Sequence, residues 1–298
     1  MVLATVGDLV EDIIVAVDEL AASASSEREL RLNLGADTRA VVTRRRGGSA
    51  ANLAAAAGAL GAPVRFIGQV GDDPVGDRLI TDLADRGVDV VTRRAGRTGT
   101  VVVILHDGGE RSMLTDRGAS VSLHQPESSW LDGVEHLHVP LYSLAEPPLS
   151  ETTATLVAHA DERGIGVSLD VSATSLLAAL GPAIAVELIG ELRPALVFAN
   201  EDEAAVLATE ARPSELATVA LVEKRGPRPA RVVPSTGDPF DVAAVELGPV
   251  GDTTGAGDAF AAGFIVARLA GDDLRACAER GHRSAADHLR SLAVAGGD

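Results

Sequence analysis

From about residue 50 onward, short β-branched runs alternate with Ala- and Leu-rich helical stretches, which restricts the chain to βαβ units around a mainly parallel sheet. Val64-Arg-Phe-Ile67 reads as a strand followed by a helix from about Val75 to Arg86. Gly164-Ile-Gly-Val-Ser-Leu169 and Ala195-Leu-Val-Phe198 read as buried strands, each with a helix after it. The fold class is therefore α/β. Two regions break the rhythm. Residues 10–18 with 38–46, and 98–105 with 111–115, are strand-like and have no helix between them to make a parallel crossover. His106-Asp-Gly-Gly-Glu110 reads as a hairpin turn, so a small antiparallel β appendage is expected. No solenoid repeat and no linker-like tract interrupts the chain, and Lys224-Arg-Gly-Pro-Arg-Pro-Ala230 reads as a turn, so 1–298 is expected to be a single domain.

Composition narrows the function classes. The 43 acidic and 26 basic residues give a net charge of −17, which opposes binding to nucleic-acid phosphates and anionic membranes. A small-molecule partner is expected instead. The single cysteine, Cys277, can make no internal disulfide, which points to a reducing, cytoplasmic setting. The N-terminus carries no basic n-region, and the apolar runs near 53–60 and 258–270 are too short to span a bilayer, so neither export nor membrane insertion is expected. Aromatic residues make up only 2% of the chain, so Ala, Val, Leu and Ile must build the core.

The strongest chemical signal is Asp252-Thr-Thr-Gly-Ala-Gly-Asp258, followed at once by the apolar stretch Ala259 to Val266. Gly255 and Gly257 permit a tight turn whose amides converge, and the positive end of the following helix completes an anion site. Asp258 then stands where a hydroxyl attacking a phosphoryl group sheds its proton. A simple helix cap would explain Asp258 but not the two threonines and two glycines. A second signal, Gly47-Gly-Ser-Ala-Ala-Asn52, opens a helix over Leu53 to Leu60. Its glycines allow close ligand approach and Asn52 offers a donor and an acceptor to a hydroxyl, although an ordinary small-residue helix start reads the same way. A third, Asn200-Glu-Asp-Glu203, follows the strand ending at Phe198, at the carboxyl end where open α/β sheets place ligands. Asn200 and Glu203 are candidates to hold a hydrated Mg²⁺, against the plainer reading of an acidic helix start.

Other signatures are missing. Lys224, the only lysine, does not lie in a G-x-x-x-x-G-K-[ST] loop, which excludes a Walker-type NTPase, and a protein kinase with its strand lysine is excluded too. His136 and His138 have no third ligand nearby in sequence and read as structural, and Arg44-Arg-Arg46 reads as a solvated strand edge.

These motifs, in this order, resemble the ribokinase-like (PfkB) carbohydrate kinase family over essentially the whole chain. The heptad resembles its C-terminal signature, and Gly47 to Asn52 with Gly68-Gln-Val-Gly-Asp-Asp-Pro-Val-Gly76 its N-terminal one. The resemblance implies a doubly wound α/β/α sandwich with a β-sheet lid over the acceptor site, and ATP as phosphoryl donor with Mg²⁺. It makes Asp258 the base and the amides of Gly255, Ala256 and Gly257 the anion hole. It sets Asp252 and Thr254 beside a monovalent cation such as K⁺. It matches Asp12, with Gly48 and Asn52, to the sugar site, and Asn200 and Glu203 to the Mg²⁺/phosphate motif. Lys224 and Gly226 fall on the nucleotide-side turn, where Pro227 and Pro229 replace a second glycine, and His282 stands where an Asn is common.

The expected activity is phosphorylation of an unphosphorylated sugar or sugar acid. Residues 9–46 and 98–120 contain no Phe, Tyr or Trp to stack on a nucleobase, while Arg111 and Arg117 suit a carboxylate. A nucleoside kinase of the same family and a non-catalytic sugar- or nucleotide-binding regulator are the alternatives. The unpaired edges of the lid strands predict a homodimer formed through the lid.

Overall fold

The computed structural model describes residues 2–17, 35, 37–105, 111–248, 250 and 252–295. In chain order the elements are β1 (Val2–Val6), β2 (Val10–Val17), β3 (Ala40–Gly47), α1 (Ser49–Ala59), β4 (Val64–Val70), α2 (Pro74–Asp85), β5 (Val88–Arg94), β6 (Thr98–Leu105), β7 (Arg111–Gly118), β8 (Val134–Pro140) and α3 (Leu149–Glu162). There follow β9 (Gly166–Asp170), α4 (Thr174–Leu180), α5 (Pro182–Leu192), β10 (Leu196–Asn200), α6 (Glu201–Leu207), β11 (Ala220–Lys224), β12 (Ala230–Pro234), β13 (Phe240–Val242), α7 (Ala256–Leu269) and α8 (Leu274–Ala295).

The large sheet runs β13-β12-β11-β10-β9-β8-β1-β4-β5. Pairings from β5 across to β11 are parallel, and β12 and β13 are added antiparallel. Successive residues of a strand face opposite sides, so each strand feeds two cores. Leu3, Phe66, Phe198 and Val222 pack with α1, α2, α7 and α8. Their neighbours Ala4, Ile67, Val197 and Leu221 face the layer of α3, α4, α5 and α6. This is the expected α/β/α sandwich. Three of the seven aromatics meet in this core: Phe264 contacts Phe198 edge-on at 5.4 Å between ring centroids and Phe260 at 6.3 Å. Among the described residues no single helix is long and apolar enough to cross a membrane.

Strand order reverses beside β1, because the chain first winds outward through β4 and β5 and then returns past β1 to β8. Such a switch point opens a crevice at the carboxyl ends of the strands, and the residues after β1 and β8 lie in it. The second sheet, β3-β2-β6-β7, overhangs that crevice.

Three details depart from the sequence reading. The β2–β6 pairing is parallel, with Asp12 opposite Val101 and Ile14 opposite Val103, because the whole β3 to β5 segment lies between the two strands and supplies the crossover. The small sheet is thus mixed. Helix α1 begins at Ser49 rather than Leu53, which places Ser49 and Asn52 on its first turn. Strand β7 continues past residue 115 to Gly118. Residue 18 and the turn expected at His106 to Glu110 lie outside the described residues. The Lys224 to Ala230 turn joins the antiparallel strands β11 and β12, as read from sequence.

Candidate active site

A cavity of about 1010 Å³ lies between the small sheet, the carboxyl ends of β1, β8, β9 and β10, and the start of α7. The heptad forms its floor. Gly255 takes a left-handed backbone, φ +79°, to begin α7, and an added Cβ there would come 3.0 Å from His288 Nε2. The Asp252 carboxylate closes the preceding turn by accepting from the Thr254 amide at 2.9 Å. Of the three amides expected to form an anion hole, that of Ala256 already donates to Thr253 O at 3.2 Å, as part of the turn itself. Gly255 and Gly257 line the cavity beside it.

Asp258 is held from helix α1. Ser49 Oγ donates to its Oδ1 at 2.7 Å and Asn52 Nδ2 to its Oδ2 at 3.1 Å. Burial and the nearby Asp170 carboxylate push Asp258 up to about 6, against the lowering effect of Ser49, Lys224 and Asn52. The two glycine-rich motifs, some 200 residues apart in sequence, therefore meet at one carboxylate.

Lys224, at the end of β11, pairs with Asp170 at the end of β9. Burial alone would lower the ammonium, but Asp170 and Glu203 hold it above its ordinary value. Glu203 closes a capping box with Asn200: its carboxylate accepts from the Asn200 side chain and amide, each at 2.8 Å, and its own amide donates back to Asn200 Oδ1. Burial and then Asp170 push Glu203 up to about 7. Three carboxylates, Asp170, Glu203 and Asp258, thus share one lysine. This excess of negative oxygen chemistry suits a hydrated Mg²⁺ held through water. Among the described residues no cluster of three or more His, Cys, Asp or Glu side chains could bind a metal by itself.

On the acceptor side, Asp12 is buried beneath the small sheet, and burial pushes it up to about 6 against Arg45 and Arg46. Gly47 makes room for it, since a Cβ there would lie 1.9 Å from Asp12 Oδ1. Gly48 and Asn52 line the same pocket. Arg117 is committed: it makes two bonds to Asp8, at 2.9 and 2.8 Å, and a third to Tyr142 O at 3.0 Å. Its guanidinium also lies 5.8 Å from the centre of the Tyr142 ring. Arg111 reaches down to the hydroxyls of Thr253 and Thr254 at 3.5 and 3.4 Å.

At the far end, Gly226 of the β11–β12 turn and His282 of α8 line an extension of the cavity with Pro227, Phe260 and Leu289. His282 Nε2–H donates to Val242 O at 3.1 Å, and its ring meets Phe260 edge-on at 5.0 Å. His136 and His138 stay structural: buried in β8, both bond to Ser168 Oγ at 2.9 Å, and burial pushes His136 down to about 4.

The residues expected to flank a monovalent cation do not fit one. The second oxygen of Asp252 is taken by Arg45 Nη1 at 2.6 Å, and Thr254 O accepts from His288 Nε2 at 2.8 Å. Of the arginine triplet on the edge strand β3, Arg44 is exposed as expected, but the other two are not solvated. Arg45 turns inward to Asp252 and Arg46 to Asp82, with side chains 25% and 12% exposed.

Sequence reasoning passed over Ser49, Asp8, Asp170, Tyr142 and Arg45. Asp170 was within reach of the rule that picked out Asn200, since both end parallel strands. Tyr142 follows β8 and enters the pocket from outside the two segments searched for aromatics.

The model of the pfkB family carbohydrate kinases matches residues 7–292. The chain belongs to that family. As a pfkB-family kinase it is a phosphotransferase with an alcohol group as acceptor. It is 33% identical over 245 residues to an ATP-dependent ribose-1-phosphate kinase of Halopiger xanaduensis, covering 78% of this chain and 76% of that one. It is 30% identical over 286 residues to an adenosine kinase of Schizophyllum commune, covering 84% and 81%. A sugar kinase of Pyrococcus horikoshii solved in complex with ATP superposes with a TM-score of 0.77 at 26% identity, covering 97% of this chain and 92% of that one. The pfkB fold thus brings sugar and nucleoside kinases together around one architecture.

Proposed function

We propose that this kinase, acting as one catalytic domain, transfers the γ-phosphoryl group of ATP to a hydroxyl of a sugar or sugar acid, with Asp258 as the general base. The observation that carries this reading is the Asp258 carboxylate, fixed by Ser49 and Asn52 at the positive start of α7 and facing the cavity. An acceptor hydroxyl resting against Asp258 would attack the γ-phosphorus. Its proton passes to the carboxylate, the new P–O bond forms, and the bond to the β-phosphate oxygen breaks to release ADP. Charge gathering on the transferred group would meet the amides of Gly255 and Gly257 and the Lys224 ammonium. A bound Mg²⁺ would neutralise phosphate charge, and Asn200 and Glu203 would hold its water shell. Lys224, Gly226 and His282 would line the nucleotide end. Asp12, Gly48 and Asn52 would bind acceptor hydroxyls, and Arg117 would order Asp8 and Tyr142 rather than meet the substrate itself.

One observation favours a nucleoside acceptor as the second reading. The pocket holds an aromatic ring, Tyr142, and apolar side chains of Val10, Val101, Val103 and Met113 from the small sheet, a surface on which a base could stack. A coupled ADP-release assay over neutral sugars, sugar acids, ribose 1-phosphate and nucleosides tests both. The sugar reading expects the highest kcat/KM for a sugar or sugar acid; a nucleoside well above every sugar would replace it with the second, and no ADP release with any acceptor would remove both.

A further inference from the structure

We infer that the Arg45 guanidinium serves as a built-in monovalent cation beneath the phosphate-binding turn, so that this kinase turns over without potassium. The turn from Asp252 to Gly255 sets the direction of the amides at the start of α7, and two of its oxygens bond to Arg45 and His288, which line a second cavity. Asp252 Oδ2 receives Arg45 Nη1 at 2.6 Å, while Oδ1 holds the Thr254 amide at 2.9 Å. Thr254 O receives His288 Nε2 at 2.8 Å. A potassium ion at these oxygens would meet the Arg45 guanidinium and the His288 ring already bonded to them.

The arginine is also well placed to stay. It lies on β3 directly opposite Asp12 on β2, its side chain is 25% exposed, and its partner carboxylate is 21% exposed. One fixed positive charge at the carboxylate supplies what a bound monovalent ion would, without the entropy of capturing it. The approach to the turn from outside is hostile to cations. A second cavity, of about 320 Å³, opens behind Thr254 and Gly255 and is lined by Arg44, Arg45, Arg46, Arg78, Arg86 and His288. Acidic groups offset part of this charge, Asp82 on Arg46 and Glu11 on Arg78, but arginines outnumber them. The arrangement also ties β3 of the acceptor-binding sheet to the phosphate-binding turn, which an exchangeable ion would not do.

The test uses the full chain in tetramethylammonium chloride, compared with potassium chloride at equal ionic strength. Two quantities are read: melting temperature without substrate, and ADP release with the best acceptor. Only the second depends on the phosphoryl-transfer reading, so its failure is separable from failure of the cation assignment. The parent is expected to show the same melting temperature and turnover in both salts. Arg45→Ala is expected to lose turnover in tetramethylammonium and to gain both melting temperature and turnover in potassium, whereas Arg45→Lys should stay indifferent to the salt. If Arg45→Ala does not fold, the parent and Arg45→Lys decide the matter. A parent that gains stability or turnover with potassium, or an Arg45→Ala protein indifferent to it in both readouts, would overturn the assignment.

Discussion

Ser49 Oγ donates to Asp258 Oδ1 at 2.7 Å, so that the first turn of α1 holds the first turn of α7. With Asn52 on the other oxygen, the carboxylate is aimed before any substrate arrives. Asp258→Asn keeps the size of the side chain and removes only the proton acceptor. We expect kcat to fall by about 10²–10⁴-fold, the usual contribution of a general base. The melting temperature at pH 8 should be unchanged or higher, since a carboxylate that burial disfavours has been made neutral. A steady-state assay with a thermal melt checks both, and turnover within a few-fold of the parent would falsify the role given to Asp258.

The pH dependence follows from the raised carboxylates. Asp258 must be deprotonated to accept a proton, and burial lifts it from an ordinary 3.8 to about 6. The acid limb of kcat/KM should therefore break near pH 6 and fall about tenfold per pH unit below it. Stability runs the other way. Asp12, Glu203 and Asp258 are all raised, so the folded chain binds more protons than the unfolded one between about pH 4 and 7. Their contribution lowers stability as pH rises through that window, and neutralising them together (Asp12→Asn, Glu203→Gln, Asp258→Asn) should flatten the loss. A rate profile that stays flat down to pH 5 would contradict the first expectation.

Lys224 lowers both Asp258 and Glu203. Lys224→Met leaves Asp170, Glu203 and Asp258 facing one another. The acid limb of the rate profile should move to higher pH, with turnover reduced. Removing one partner of a buried pair costs up to about 3–5 kcal/mol, so the melting temperature should also drop. An acid limb unmoved by the substitution would show that the lysine does not tune the base.

The α/β/α order was legible because periodicity is a local property: Val64 to Ile67 and Gly164 to Leu169 announce buried strands whatever surrounds them. The heptad and Asn200–Glu203 were legible because tight turns and capping boxes demand particular residues at fixed spacing. Arg45 was not, since the triplet looks alike whether its side chains point to water or to Asp252, and only the packing of β3 over the turn decides. The parallel β2–β6 pairing was hidden for the same reason: strand direction is set by where the intervening chain returns, not by the residues of either strand.

Gly47→Ala separates acceptor binding from chemistry. Its Cβ would fall 1.9 Å from Asp12 Oδ1, so the carboxylate must swing away from the position in which it would hold a hydroxyl. Asp258 and its two donors lie beyond the change. KM for the acceptor should rise by about tenfold or more, the equivalent of one lost hydrogen bond to a charged group, with KM for ATP little affected. Equal loss on both substrates would show that Asp12 supports the fold rather than the acceptor.

Among the described residues the small sheet leaves two edges unpaired, β3 and β7, and both carry large apolar side chains in water. Val41 and Val42 on β3 are 57% and 55% exposed, and Met113 and Leu114 on β7 are 48% and 63% exposed. Unpaired strand edges with apolar flanks invite another strand, and natural sheets usually guard them with charge. We propose that a second copy of the chain covers this sheet, giving a homodimer through the lid. Light scattering at micromolar concentration is expected to give twice the 30.5 kDa chain mass. Val42→Asp with Leu114→Asp should halve it while leaving the melting temperature of the α/β/α body near that of the parent. A parent that scatters as a 30.5 kDa particle would remove the dimer, and the exposed valines and leucine would then need another explanation.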